Sequence, residues 1–227
     1  MTENLMNNNI VNLTGEVIYE PVFSHEVFGE GFFETALKVR RLSEQSDVIP
    51  VTISERLMQT TPFTTGDVVS VTGQFRSYNK LIGGRSKLML TVFVREVFGG
   101  EEPEKNPNQI ELTGFICKEP IYRTTPFKRE ICDILVAVNR AYNKSDYIPC
   151  IAWGRNARFA SALPVGSKIV LSGRIQSREY QKQTDAGIET RTAYEISVSR
   201  IATAEGGGEV EGDREREDRG EWRDGDS

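Results

Sequence analysis

Ser145-Asp146-Tyr147-Ile148-Pro149-Cys150-Ile151-Ala152-Trp153-Gly154 reads as a β-strand with a period of two. Ile148, Cys150 and Ala152 fall on one face, small and apolar, a lining suited to a narrow barrel. Tyr147, Pro149, Ile151 and Trp153 fall on the other, which the pattern turns outward with an aromatic at each end. The start of this stretch also stands 99 residues earlier, as Ser46-Asp47-Val48-Ile49-Pro50. Leu13-Thr14-Gly15 and Leu112-Thr113-Gly114 keep that offset, as do Glu20-Pro21 and Glu119-Pro120, Arg41 and Arg140, and Arg56 and Arg155. Gly66/Gly166, Gly73/Gly173 and Ser77/Ser177 are offset by 100, so one residue has been inserted between the two groups. The period is too long for a solenoid unit and fits a small whole domain.

Working outward from the second copy, Gln109–Cys117 alternates as a first strand, Ile131–Asn139 is a second, Tyr147–Gly154 a third, Lys168–Ser177 a fourth and Ala193–Ile201 a fifth. Asn156–Leu163 reads as helix, ended by Pro164 with Gly166 just beyond. The first copy repeats the order, with a helix over Ser54–Thr61 and a hairpin turn at Gly83-Gly84. Five strands with one short helix between the third and fourth is the order of a small closed Greek-key barrel, the OB-fold. Other five-stranded barrels or sandwiches share that count. The expected fold is all-β, two tandem OB barrels over 9–98 and 109–202, joined by a Gly-, Pro- and charge-rich linker over 99–108. An acidic tail over 203–227 is expected to be disordered.

Of the 227 residues, 38% are hydrophobic, enough for two compact cores. No apolar run approaches the ~20 residues of a membrane span, and Met1–Asn9 lacks the basic start and apolar segment of a signal peptide, so a cytoplasmic protein without a membrane role is expected. Cys117, Cys132 and Cys150 form an odd set without CxxC spacing and sit in apolar runs, which points to buried free thiols. The net charge of −5 is unevenly spread: residues 12–97 carry −1, residues 109–201 carry +5 and residues 202–227 carry −6. The acidic total conceals a basic second domain.

That basic domain interleaves cations with rings. Tyr142 lies in the loop before the third strand and Tyr180 at the end of the fourth. Arg140, Lys144, Arg155, Arg174, Arg178 and Lys182 stand around them. An exposed ring offers a π-face to an unpaired base at about 1–3 kcal/mol per stack, and the cations neutralise phosphates. A strand tryptophan is more often core and scattered arginines are more often solvated surface; the joint pattern is what singles these residues out.

The second copy resembles the bacterial single-stranded DNA-binding protein family. Leu112-Thr113-Gly114, Glu119-Pro120, Val136-Ala137-Val138-Asn139-Arg140, Tyr147–Gly154, Gly166-Ser167-Lys168 and Gly173–Tyr180 carry the resemblance, over 109–201. It implies base-stacking roles for Tyr142, Tyr147, Trp153 and Tyr180. It also implies a homodimer, since the family works as four barrels and this chain would supply two. The first copy departs. It has Ser43, Val48 and Ser54 where the second has Tyr142, Tyr147 and Trp153. Arg76, Tyr78, Lys80 and Arg85 remain as weaker candidates for single-stranded DNA contact. The family's tail ends in an apolar tip that recruits replication and repair proteins. Here it ends Gly225-Asp226-Ser227, with Trp222 the nearest apolar anchor, which argues against that recruitment.

Catalysis is not legible. His25 is the lone histidine, read as lying in a polar loop; no nucleophile–base or paired-carboxylate set appears, and no helix follows Gly29-Glu30-Gly31 to make a phosphate loop. No cofactor or metal is implied. The expected function is non-catalytic, largely sequence-independent single-stranded DNA binding in replication, recombination or repair. The alternatives are a primosome-restart or recombination accessory acting through protein contacts, a single-stranded RNA binder, and a nuclease on the same barrel.

Overall fold

A computed structural model describes residues 7–43, 45–100, 106–184, 187–204 and 210–211. The side chains of Ile82, Arg85, Lys182, Thr184, Val210 and Glu211 are outside the described set, as are 101–105 of the linker and most of the acidic tail.

The first half runs β1 (Asn9–Val17), β2 (Val22–Val27), β3 (Glu30–Arg40), β4 (Ser46–Ser54), α1 (Glu55–Thr60), β5 (Val68–Ile82) and β6 (Arg85–Gly99). The second runs β7 (Asn108–Ile116), β8 (Ile121–Thr124), β9 (Glu130–Asn139), a 3-10 turn at Ala141–Asn143, β10 (Ser145–Trp153), α2 (Gly154–Ser161), β11 (Lys168–Thr184) and β12 (Gly187–Thr203). A two-residue β13 (Val210–Glu211) pairs with β12.

In each half five strands close on themselves. β1 pairs with β3 and β5, β3 with β4, β5 with β6, and a short parallel contact from β4 to β6 completes the ring. The second half closes identically through β7, β9, β10, β12 and β11. This is the OB-fold order, with the helix between the third and fourth ring strands. The rings are filled by β-branched, aliphatic and aromatic residues on alternate positions, among them Val11, Leu13, Ile49, Val51 and Phe75 in the first and Ile110, Leu112, Ile148, Ile175 and Ile196 in the second.

Several details differ from the sequence expectation. Each half has a further edge strand, β2 or β8, paired only to the neighbouring β3 or β9. All their residues are exposed, so no period-two burial marks them. His25 consequently lies on β2 rather than in a loop. The fourth and fifth strands of the second half run to Thr184 and from Gly187, a long hairpin beyond the ring, and α2 begins two residues earlier than expected. The β5–β6 turn falls at Gly83-Gly84 as expected, both at positive φ. Cys132 and Cys150 are buried, whereas Cys117 lies just past β7 and is half-buried. Ile151, expected to face outward, is buried where β10 meets β12 in the parallel contact.

The two rings share one continuous sheet through β1 and β7, which pair antiparallel from Asn9↔Leu112 to Leu13↔Asn108. Asn108, placed in the linker by composition, opens β7 and is buried. Its amide donates to Ile175 O at 2.6 Å and accepts from Ile175 N at 2.9 Å. Asn9 does the same with Phe75, at 2.7 and 3.0 Å. Each amide substitutes for a missing backbone rung.

The repeated Ser-Asp motifs form the second contact between halves. Ser177 N donates to Asp47 Oδ1 at 2.8 Å, and Ser77 N donates to Asp146 Oδ1 at 2.8 Å. Val48 N and Tyr147 N donate in turn to Ser177 Oγ and Ser77 Oγ, at 3.3 and 2.8 Å. The landmarks retained by both copies thus hold the two rings together about an approximate two-fold axis.

Candidate nucleic-acid interface

β10 sets out two of the aromatic candidates. Tyr147 is exposed on the outer face, and Trp153 is half-buried six residues on, about 20 Å along the strand. The Trp153 indole N–H is buried without a hydrogen-bond partner, so one edge of the ring is packed inward while part of the ring reaches solvent. Trp153 is also the residue before α2, and Gly154, at φ 52°, turns the chain from strand to helix.

Tyr142 sits in the 3-10 turn between β9 and β10 and is 95% exposed. Its φ of 60° and ψ of 37° lie in the left-handed region, and Asn143 follows at φ 53°. Tyr180 lies on the projecting part of β11, with the Arg178 guanidinium 5.9 Å from its ring centre. All four candidate rings, Tyr142, Tyr147, Trp153 and Tyr180, therefore have solvent access.

The cations divide by position. Arg140 and Lys144 flank the Tyr142 turn and line the same cleft as it. Arg155 is exposed at the start of α2, and Arg174 is half-buried on β11. Arg178 also approaches Glu195 at 3.7 Å. Lys182 is on the β11 arm, but its side chain lies outside the described residues.

The two aspartates that join the halves are not equivalent. Asp47 is held by a fork from Arg41, Nε and Nη2 each at 2.8 Å. Asp146 meets Arg140 only at 3.5 Å, and its Oδ2 is buried without a hydrogen bond. Burial accordingly raises the Asp146 carboxyl above its ordinary value, against the opposing pull of the Ser77 N–H, Arg140 and Arg76. The guanidinium that is tied down in the first half is more loosely held in the second.

The weaker candidates of the first half have local partners or open positions. Tyr78 donates to Glu34 Oε1 at 3.3 Å, and burial with the Glu34 charge pushes its phenol up to about 12. Lys80 is exposed on the β5–β6 arm opposite Lys87. Arg85 opens β6, with its side chain outside the described residues. Arg76 lies 4.0 Å over the Phe93 ring and is brought into the cleft with Arg140, Tyr142 and Lys144. Burial, and then the nearby Arg140 charge, lower its guanidinium to about 10, which leaves it charged at neutral pH.

Sequence comparison of the copies missed the aromatics of the first half. His25 and Phe32 stack at 5.2 Å and 14°, and Phe32 meets Phe93 at 5.4 Å. Strand register gives the missing signal. Phe32 pairs with Ser54, and the corresponding pair in the second half is Ile131 with Trp153. The aromatic has moved one strand across within the same rung, so a position-by-position comparison finds only Ser54 opposite Trp153. Ser54 is buried and serves as the N-cap of α1, accepting from Leu57 N at 3.4 Å.

Residues 107–204 match the model of the single-strand binding protein family. A single-stranded DNA-binding protein of Bacillus cereus is 31% identical over 112 residues, 46% of this chain and 66% of the relative. Single-stranded DNA-binding protein B of Bacillus subtilis is 31% identical over 88 residues, 36% of this chain and 78% of the relative. The chain spans slightly under two thirds of the length of the Bacillus cereus relative. The crystal structure of the wild-type single-stranded DNA binding protein from Thermus aquaticus superposes with a TM-score of 0.69 at 19% identity, covering 88% of this chain and 94% of that one, a likeness of fold across both halves. With the matched residues carrying the four rings of the second half, the chain belongs to the single-strand binding protein family.

Proposed function

We propose that the protein binds single-stranded DNA without catalysing a reaction on it, stacking unpaired bases on Tyr142, Tyr147, Trp153 and Tyr180 and tracking the backbone with Arg140, Lys144, Arg155, Arg174, Arg178 and Lys182. The carrying observation is that all four rings reach solvent on the half whose net charge is +5. Stacking accepts any base, so binding is largely indifferent to sequence, which suits a protein that covers exposed strands in replication, recombination or repair. The Bacillus relatives carry the same activity in their names. Two barrels per chain fit a homodimer of four, a state that a mass measurement in solution tests directly.

In a Trp222→Phe background, which leaves Trp153 as the reporting indole, oligo-dT should quench fluorescence, and the affinity should fall steeply with salt as counterions are displaced. Trp153→Ala should weaken binding by about 1–3 kcal/mol, whereas Val48→Ala at the position matching Tyr147 should change it little. Equal losses from the two substitutions would contradict the asymmetry between halves. Matched titrations with rU and duplex oligomers measure the preference for DNA and for single strands.

A further inference from the structure

Between the halves lies a cleft of about 810 Å³, within the range of about 300–1,000 Å³ usual for small-ligand sites. One wall is the first-half row Arg76–Phe93–Phe32–His25, in which the cation lies over Phe93, Phe93 meets Phe32 at a tilt of 36°, and His25 stacks on Phe32. The other is the Tyr142 turn, with Arg140 before it and Lys144 after it. Arg95 also lines the space, and Asp146 is the one carboxylate among the described lining residues. The chemistry is that of a nucleotide: flat rings for a base and an excess of cations for its phosphates.

The approximate two-fold axis supplies an internal control. Strand register maps Phe32 to Ile131, Phe93 to Ser197, Arg76 to Gln176, Arg95 to Ser199 and Tyr142 to Ser43. The symmetry-related position therefore has none of the rings, and of the cations it keeps Arg41 in place of Arg140 and gains Arg174 in place of Gln74. The fold requires this set in neither place; one cleft has acquired it. The looser Arg140–Asp146 contact, beside the forked Arg41–Asp47 pair, belongs to the same cleft.

We propose that this cleft is a nucleotide subsite that takes one base of a single strand against the His25–Phe32 stack, across from Tyr142, with the adjoining phosphates on Arg95, Arg140 and Lys144. It rests on the single-strand binding reading and extends it, because the strand would pass from the β10 face of the second half onto the first. The first half then contacts DNA through transposed aromatics, away from the positions that match Tyr147 and Trp153.

The test uses the full chain and two oligo-dT lengths, one of about 8 nucleotides, within a single barrel's usual site, and one of about 30. His25 is exposed, so His25→Ala and the His25→Ala/Arg95→Ala pair are read beside Trp153→Ala, with melting curves to check folding. The paired substitution should weaken the long oligomer by about fivefold or more and leave the short one within twofold, whereas Trp153→Ala should weaken both. Photocrosslinking with 5-iododeoxyuridine-substituted oligo-dT should label a residue of the His25–Phe32–Phe93 row. Unchanged affinity for the long oligomer, or equal loss for both lengths, overturns the subsite, as does labelling confined to 107–204. Binding of neither length by the unsubstituted protein would instead sink the parent reading, and the subsite with it.

Discussion

Tyr142 holds a left-handed backbone with its ring almost wholly in solvent. A residue with a Cβ in that region carries about 1–2 kcal/mol of steric cost, and here no burial of the ring offsets it. Glycine would remove the clash while giving up some order in the unfolded chain, two effects of similar size and opposite sign. Tyr142→Gly should therefore leave the melting temperature unchanged or slightly raised, yet weaken oligo-dT binding by about 1–3 kcal/mol. Calorimetry beside a binding titration separates the two, and a parallel loss of both would make the ring a structural one. The matched pair Ser54 and Trp153 shows a related divergence. One copy uses the strand end to cap a helix; the other uses it to present a ring.

At the scale of elements, strands were legible where one face is buried and the other wet. Ile148, Cys150 and Ala152 alternate with Tyr147, Pro149 and Trp153, and the structure buries the first set and leaves the second at least partly open. β2 and β8 escaped because every residue in them is exposed, and the outer β11–β12 arm because almost all its described side chains are exposed on both faces beyond the ring. The aromatic row of the first half escaped for another reason: it depends on pairing across strands, which a one-dimensional offset does not contain. The repeated glycines at 73 and 173 were legible as landmarks, and the structure supplies their cause. Each stands at a bulge, where register shifts between Thr72 and Gly73 and between Ser172 and Gly173. A Cβ on Gly173 would lie 2.2 Å from Ser197 O, a backbone atom that cannot rotate away. Gly173→Ala should destabilise the protein by about 1–3 kcal/mol, read as a lower urea midpoint at unchanged slope.

For the whole molecule, the repeat matters because its shared residues face each other. Asp47 and Asp146 each accept a backbone N–H from the opposite half, so removal of either strands a buried donor at about 1–3 kcal/mol. Asp47 also holds Arg41 through a fork, and its loss removes that two-bond contact from a side chain only 21% exposed. A true two-fold would make the two substitutions equal; the unequal arginine contacts make Asp47→Ala the more costly, by about 1 kcal/mol or more. The pH dependence of stability probes the buried Asp146 contact by itself. Burial raises the Asp146 carboxyl, so the folded protein holds that proton more tightly than the unfolded chain does. Between the ordinary aspartate value of about 3.9 and the raised folded value, this group's contribution to stability grows as pH falls. Asp146→Asn retains an acceptor for Ser77 N and removes the titration. The stability difference between the unsubstituted protein and Asp146→Asn, followed by urea unfolding from neutrality downward, should move in favour of the unsubstituted protein as the medium is acidified. Movement the other way would show that the Ser77 N–H, Arg140 and Arg76 outweigh the burial of Asp146.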